Sequence, residues 1–472
     1  MYNEKSIDKF KINTLIFINV LCITAIFYLC WNGYYNKLLD VRFSFKGNSL
    51  LLSMFGGCYF LYFLLYEAHK ISISSVSELI YDQFLSPMLT DLIAYFVIVL
   101  ILRDLQNVIP MLLCFVAQCF VSALWSFLIH RWYFATHKPK RTVVIWDVRK
   151  GLRELINMYG LEKRYQVIDN LYVKDCIKEL PKYLDGMEAV FLSGVHSGDR
   201  NKVIKYCVRN NIDAYVIPRI GDTIMRGAKP LHLFNLPMLK VVSYSPRMSY
   251  LFIKRAVDII ISGIALIILL PLMIITAVAI KATDGGSVLY KQCRLTQGGK
   301  KFNILKFRSM RMDAEKDGVA RLSTGSADDR ITPVGRFIRA VRIDELPQLI
   351  NILKGEMSIV GPRPERPEIA AEYEKEMPEF ALRLQAKAGL TGYAQVYGRY
   401  NTTPYDKLLL DLNYIANPGI AEDFKIFMAT IKILFMPEST EGVAVGQITA
   451  LQKETAADHD SEKQNVQMTD GR

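Results

Sequence analysis

Four long apolar segments at the start of this chain, and a fifth past its middle, restrict its fold more than any other feature. The first four cover about Thr14–Trp31, Leu50–Tyr66, Leu85–Leu102 and Pro110–Leu128, and the fifth about Val257–Ile280. Each is near the ~20 residues that carry a helix across a bilayer. Inside lipid every backbone N–H and C=O must be satisfied within the segment or a closed barrel, so such runs are read as helices. Residues 1–135 are expected to form a four-helix transmembrane domain. No small-residue cleavage site follows the first segment, which is therefore expected to stay as a membrane helix.

Basic residues at the segment ends give the topology. Lys5, Lys9 and Lys11 precede the first segment, and Arg131, Lys138, Lys140 and Arg141 follow the fourth. Both groups point to the cytoplasm, as an even number of crossings requires. The first loop also carries Lys37, Arg42 and Lys46, but the cluster after the fourth segment is denser. The fifth segment differs from the others. Pro271 sits near its middle, where it removes a helical hydrogen bond. Lys254 and Arg255 stand at one end and Lys281 at the other, so both ends read as cytoplasmic. A re-entrant membrane helix over 251–283, breaking at Pro271, satisfies these facts. Lys254 is expected to pair with Asp258 at i, i+4, so that Lys254, Arg255 and Asp258 anchor the helix at headgroup depth.

At 472 residues the chain exceeds one domain. After Arg141 the pattern changes to short apolar runs, TVVIW, YQVID, EAVFL and AYVIP, alternating with helical stretches at Gly151–Met158, Val173–Tyr183 and Asn201–Asn210. That alternation predicts a small parallel sheet with crossover helices, a Rossmann-like α/β module over 140–245. The turn after the first strand, WDVRKGLREL, holds only Gly151, so the three-glycine dinucleotide fingerprint is absent. A structural or regulatory role suits this module better than a nucleotide site.

Net charge is +12. No basic stripe interleaved with stacking aromatics accompanies it, which argues against nucleic acid and for anionic headgroups and phosphorylated substrates. None of the eight cysteines shows CxxC spacing, so neither a zinc site nor a disulfide framework is indicated.

From 284 to 437 the sequence reads as a small α/β domain, followed by a polar tail over 438–472 expected to be disordered. DGGSVLYKQCRL and KFNILKFRSM read as strands, 311–329 as a polar loop or mobile helix, and Pro367–Lys387 as a charged helix. The stretch with most chemistry is RIDELPQLINILKGEMSIVGPRP, Arg342 to Pro364. Pro347 is tolerated only in a first helical turn, which puts Asp344 and Glu345 at the positive end of a short helix that Gly355 ends. Acidic residues there are usually caps. Two adjacent carboxylates, however, repel unless a cation or proton compensates. Arg339, Arg342 and Arg363 bracket the pair, with Arg294, Lys306 and Arg308 upstream, and the guanidinium fork matches phosphate oxygens. The pattern reads as an acidic nucleophile or metal site ringed by phosphate binders.

KRAVDIIISGIALIILLPL, DGGSVLYKQCR, KFRSM, RIDELPQLINILKGEMSIVGPRP, GLTGYAQVYGR and LDLNYI, in this order, resemble the bacterial sugar transferases, the monotopic polyprenyl-phosphate phosphoglycosyl transferases. The resemblance covers about Leu251 to Phe435, and the N-terminal helices with the α/β module look like the large form of that family, whose members start capsule, exopolysaccharide or O-antigen assembly. It implies a bacterial cytoplasmic-membrane enzyme with its catalytic domain on the cytoplasmic side. By that resemblance Asp344 is the nucleophile on the sugar-bearing phosphate of a UDP-sugar, UMP leaves, and polyprenyl phosphate then collects the phosphosugar. Glu345 is a base or, with Asp344, a ligand of Mg²⁺. Arg363 clamps phosphate, Asp423 stands at another position used in the family's site, and Pro271 matches the re-entrant break, although Leu270 precedes it where some members have Ser. A homodimer through the α/β module is a further expectation. Two other readings stay open: a membrane-anchored ligand sensor or scaffold with an inactive catalytic domain, and a sugar transferase that releases UDP.

Overall fold

The computed structural model describes residues 2–311, 330–398 and 402–434. Most of the polar stretch over 311–329, part of the GLTGYAQVYGR motif, and the tail over 438–472 lie outside the described residues.

Apolar sequence sets the first four helices, α1 (Tyr2–Gly33), α2 (Phe45–Leu65), α3 (Val76–Leu102) and α4 (Ile109–Thr136). They overrun the apolar segments because their polar flanks continue the helix. α3 opens with a capping box: the Ser75 hydroxyl accepts from the Glu78 N–H, and the Glu78 carboxylate accepts from the Ser75 N–H. α4 opens with Pro110 in its first turn. Large apolar side chains such as Phe17, Leu29, Phe96 and Phe120 face outward, while polar groups meet inside. Tyr59 donates to Asn19 (2.8 Å), Asn19 to Gln83 (3.3 Å), and Gln118 to Asp91 (3.4 Å). This inside-out distribution is that of a bundle built for lipid. Together with the Met248–Thr283 segment, five described helices are long and apolar enough to cross a membrane.

The α/β module follows the expected alternation: β1 (Lys140–Trp146), α5 (Leu152–Met158), β2 (Tyr165–Tyr172), β3 (Ala189–Ser193), α6 (Ser197–Arg209) and β4 (Asp213–Val216). The sheet is wholly parallel, in the order β2-β1-β3-β4. Val143, Val144 and Ile145 are buried in succession, as a strand covered on both faces requires. The single helix expected over Val173–Tyr183 is two short ones, Val173–Cys176 and Leu180–Leu184, because Pro181 can only open a helix.

The second compact unit begins at Arg219. Residues 219–245, expected with the α/β module, therefore group with the C-terminal unit, where their contacts lie. Ile220 and Tyr244 pack on its core, Arg226 bonds to Asn413 (2.6 Å), and the Tyr244 N–H donates to Gln385 (2.9 Å). This segment forms α7 (Ile220–Arg226) and a hairpin of β5 (Lys229–Leu233) and β6 (Leu236–Lys240).

α8 (Met248–Asp284) then runs 37 residues and stays helical through Pro271. Tyr250, Asp258, Ser262, Thr276 and Ile280 are buried along one side. Ile261, Ala265 and Leu266 pack on the unit's main core, and Met273, Ala277 and Ile280 on a satellite cluster with Phe307 and Ile338. The opposite side exposes Phe252, Ile260, Ile264, Ile267, Ile268, Ile275 and Val278. Lys254 does not take the i, i+4 partner expected of it. Asp258 lies on the covered side, where it accepts from the Ile359 N–H at 2.9 Å, and Lys254 reaches Asp423 at 2.9 Å instead. A buried strand amide needs an acceptor, whereas Lys254 has a carboxylate within reach on another helix.

The remaining elements are the antiparallel pair β7 (Leu289–Leu295) and β8 (Lys301–Phe307), then α9 (Pro333–Ala340), α10 (Gln348–Lys354), β9 (Ser358–Val360), α11 (Pro367–Glu376), β10 (Gly389–Thr391), α12 (Pro404–Ala416) and α13 (Ile420–Leu434). The charged helix expected over Pro367–Lys387 ends at Glu376, because Pro378 starts a separate 3-10 stretch, Pro378–Gln385. Phe302, Ile304, Leu349, Ile352, Ile359, Phe380, Leu412 and Ile415 form the core beneath these elements.

β9 and β10 pair in parallel and cross very closely just past their ends. A Cβ on Gly361 would lie 2.3 Å from the Lys387 carbonyl oxygen, and one on Gly389 would lie 2.1 Å from the Gly361 nitrogen. No side chain fits there. Gly361→Ala is expected to lower stability by about 1–3 kcal/mol through overpacking. Gly263→Ala, with nothing within 4 Å, is expected to change it by less than about 1 kcal/mol. Thermal unfolding of both variants in one detergent checks this, and equal losses would contradict it.

Candidate active site

Two residues past the end of α9, Arg342 adopts the left-handed conformation at φ 55°. A β-carbon makes that conformation costly, so the chain reverses there under strain. The reversal feeds a 3-10 turn, Ile343–Glu345, and then Pro347, which is the N-cap of α10. Asp344 and Glu345 thus occupy their own turn one step before α10, on the N-terminal side of that helix.

Asn351 fixes the strand that faces this turn. Its side chain accepts from the Leu305 N–H (3.0 Å) and donates to the Asn303 carbonyl (2.9 Å) and to Glu356 (2.6 Å). That clamp holds β8 against α10 and delivers the next residue, Lys306, to Glu345. Lys306 Nζ lies 3.1 Å from Glu345 Oε1, Arg363 Nη2 lies 3.5 Å from the same oxygen, and Arg342 Nη1 lies 4.0 Å from Oε2. Glu345 is 15% exposed, and burial alone would push its carboxyl up. Lys306, Arg363 and Arg342 outweigh that and hold it well below the usual carboxylate range. Burial also lowers Lys306, against the pull of Glu345.

Asp344 is the opposite case. Among the described residues its carboxylate makes no side-chain hydrogen bond or ion pair. Burial first, and the Glu345 charge second, push its carboxyl up to about 6, against Lys306, Arg339 and Arg342. One carboxylate of the pair is therefore neutralised by cations, and the other remains open, desolvated and poised near neutral pH. That division of labour is what acid–base or nucleophilic work by two adjacent carboxylates requires.

The residues singled out from sequence divide into two groups. Asp344, Glu345, Lys306, Arg339, Arg342 and Arg363 converge. Arg294 stands next to them, bonded to the Pro364 carbonyl (3.0 Å) and 3.7 Å from Glu365, and its charge bears on Lys306. Arg308 lies two residues past Lys306, just beyond the end of β8, and is buried. Asp423 has another setting: it accepts from Tyr250 (2.9 Å), Lys254 (2.9 Å) and Tyr414 (2.8 Å), tying α8 to α12 and α13. Arg255 donates to the Ile352 (2.6 Å) and Leu353 (2.8 Å) carbonyls at the C-terminus of α10. The membrane-type helix is thus bolted to the far end of the helix that follows the Asp–Glu turn. Asn351 and the Tyr250–Tyr414 pair escaped the sequence reading. Their only signal was that Asn351 is polar on the buried face of α10 and that Tyr414 lies within LDLNYI.

The donors present suit a hard cation. Among the described residues no group of three or more His, Cys, Asp or Glu side chains could hold a metal alone. Mg²⁺ is commonly held by one or two carboxylates with substrate phosphates completing its shell, and the open Asp344 carboxylate fits that role. Glu345, engaged by three cations, fits it less well.

Comparison with known proteins agrees with this chemistry. The family model described as bacterial sugar transferase matches residues 249–437. The UDP-N-acetylgalactosamine-undecaprenyl-phosphate N-acetylgalactosaminephosphotransferase of Aeromonas hydrophila is 36% identical over 50% of this chain and 56% of its own length. The UDP-glucose:undecaprenyl-phosphate glucose-1-phosphate transferase of Caulobacter vibrioides is 39% identical over 41% of this chain and 74% of its own length. A protein of the same name from Escherichia coli is 38% identical over 44% of each chain. The chain thus spans about half to three quarters of these relatives.

A carboxyl raised from 3.8 to about 6 on folding takes up a proton when the chain folds. The contribution of Asp344 to stability then falls as pH rises from about 4 to above 6. Asp344→Asn removes that loss. Its melting temperature should exceed wild type by a margin that grows from pH 5 to pH 7, and a margin independent of pH would contradict the raised carboxyl.

Proposed function

This chain belongs to the bacterial sugar transferase family, and from that premise we propose that it moves a sugar-1-phosphate from a UDP-sugar to undecaprenyl or a related polyprenyl phosphate, by a ping-pong route through Asp344. The observation that carries the proposal is the asymmetry of the pair: an ionised Glu345 held by Lys306, Arg363 and Arg342 beside an open Asp344.

In the first half-reaction an Asp344 carboxylate oxygen attacks the sugar-bearing phosphorus. The bond from that phosphorus to the bridging oxygen breaks, and UMP leaves with the electron pair. An acyl phosphate joins Asp344 to the phosphosugar. In the second, a phosphate oxygen of the lipid attacks the same phosphorus, the acyl-phosphate bond breaks, and the carboxylate is restored with polyprenyl-diphosphate-sugar as product. A buried carboxylate with few partners is a better nucleophile than a solvated one, and a carboxyl near 6 is still mostly ionised at pH 7. Glu345, strongly held as an anion, suits the work of orienting Lys306 and Arg363 better than that of a base. Those two cations, with Arg342, would match the charge on transferring phosphoryl oxygens. Mg²⁺, held by Asp344 with the diphosphate, would supply further charge neutralisation.

α8 supports a monotopic arrangement in the bacterial cytoplasmic membrane. A straight helix of this length extends ~55 Å. One small unit packs on it both near Tyr250–Leu266 and near Met273–Ile280, leaving the other side apolar and open. A helix sheathed in lipid on all sides cannot be covered in this way at both ends, whereas a re-entrant one, bent at Pro271 and shared between domain and lipid, can. Asp344 would then sit at headgroup depth on the cytoplasmic side, within reach of a soluble nucleotide and a lipid-borne phosphate in turn. Glucose and N-acetylgalactosamine both occur in the relatives' names, so both UDP-sugars belong in the assay.

A sensor or scaffold with an inactive domain is weighed down by the desolvation that the charged cluster costs, and a transferase of sugar alone would release UDP. The full chain in nanodiscs with Mg²⁺, polyprenyl phosphate and a panel of UDP-sugars is expected to release UMP from at least one of them. Asp344→Asn should lower that rate at least about 10³-fold while remaining folded, as losses of nucleophiles do. Release of UDP, or near-wild-type turnover by the variant, would overturn the proposal.

A further inference from the structure

Arg363 stands between two prolines, which fix the backbone on either side of it, and three successive carbonyls of this turn are each held by a separate donor. The Arg363 carbonyl accepts from Arg383 Nη2 at 2.8 Å, the Pro364 carbonyl from Arg294 Nη1 at 3.0 Å, and the Glu365 carbonyl from the Leu295 N–H at 3.0 Å. Arg383 does the most. Its side chain is 4% exposed, Nη2 lies 2.6 Å from Asp411 Oδ2, Nη1 lies 3.8 Å from Glu365, and the guanidinium sits 4.8 Å from the centre of the Phe380 ring. Asp411 comes from α12 and Arg383 from the 3-10 stretch, so three distant pieces of chain meet at the turn. None of the contacts of Arg383 involves Asp344 or Glu345.

A buried guanidinium is costly unless its donors are matched. Here Asp411 and Glu365 offset its charge, its Nη2 bonds the main chain of Arg363, and its Nη1 makes no hydrogen bond among the described residues. The Arg363 side chain faces outward, 43% exposed, and approaches Glu345 at 3.5 Å. Lysine could pair with Asp411 but has no planar fork with which to span the Arg363 carbonyl and both acids.

We propose that Arg383, oriented by Asp411, is a positioning residue that acts through Arg363, holding the turn so that the Arg363 side chain meets the transferring phosphate. This deepens the functional reading above and rests on it for the kinetic arm of its test. It also accounts for a buried charged network under a turn that a hydrophobic contact could otherwise have supported.

The test has two arms on the full chain in nanodiscs. The first needs no turnover: hydrogen exchange of the peptide carrying the Arg363 and Glu365 amides. Arg383→Gln should speed that exchange at least about tenfold while peptides of β8 keep wild-type rates, and unchanged exchange at the turn would overturn the proposal whether or not the chain transfers phosphosugar. The second is a double-mutant cycle in UMP release. Arg383→Gln alone should lower kcat/KM about 100-fold, as misplacement of a binding group does. In an Arg363→Ala background the same change should cost less than about threefold, because the group it positions is gone. Full multiplicative losses would mean that Arg383 only supports the fold, and would sink the idea. Absence of UMP release from wild type would fail the functional reading and leave the exchange arm to decide. If Arg383→Gln does not fold, Asp411→Asn takes its place in both arms under the same criteria.

Discussion

Neutralisation of Glu345 is the interaction on which the site depends. Two adjacent carboxylates in a partly buried turn cannot both ionise without help. Lys306 and Arg363 close on one oxygen of Glu345 and Arg342 approaches the other, so the negative charge there is fixed. Asp344 then carries the burden of burial and of its neighbour, which raises its carboxyl. Each of the three cations comes from a different place: a strand end, a strained helix terminus and a proline-bounded turn. The fold of the C-terminal unit can be viewed as the means of bringing those three to one residue.

The same logic of matched charge runs outward from the site. Asn351 joins β8 to α10, Arg255 joins α10 to α8, and Lys254 with Tyr250 joins α8 to Asp423. A helix with an open apolar side is thereby coupled to the reactive turn through polar contacts made along its covered side. Under the proposed function, the depth of that helix in a membrane would also set the depth of Asp344. Such a link would suit the proposed chemistry between a dissolved nucleotide and a lipid phosphate.

Much of this was legible in the sequence, and for identifiable reasons. Long apolar runs and alternating short ones report burial directly, so the four N-terminal helices and the parallel sheet followed. The cations around Asp344 and Glu345 could be gathered because charge near paired acids has few other uses. What sequence could not supply was partner choice. Lys254 and Asp258 have ideal helical spacing, yet each bonds elsewhere, because Asp258 faces a strand amide and Lys254 a carboxylate more than 160 residues away. Pro347 marked a helix start correctly but not the separate turn before it, since the left-handed Arg342 that creates that turn has no glycine to betray it. Arg383 and Asn351 were invisible for a related reason: a buried polar residue reads like any surface one until its partners are known.

The most direct measurement is intact-protein and peptide mass spectrometry of the full chain incubated with its UDP-sugar and Mg²⁺, without lipid phosphate. A covalent intermediate predicts a mass gain of one phosphosugar on the peptide carrying Asp344, lost when polyprenyl phosphate is added and absent from Asp344→Asn. Continued formation of lipid-linked product under conditions where that peptide never gains the adduct would contradict it.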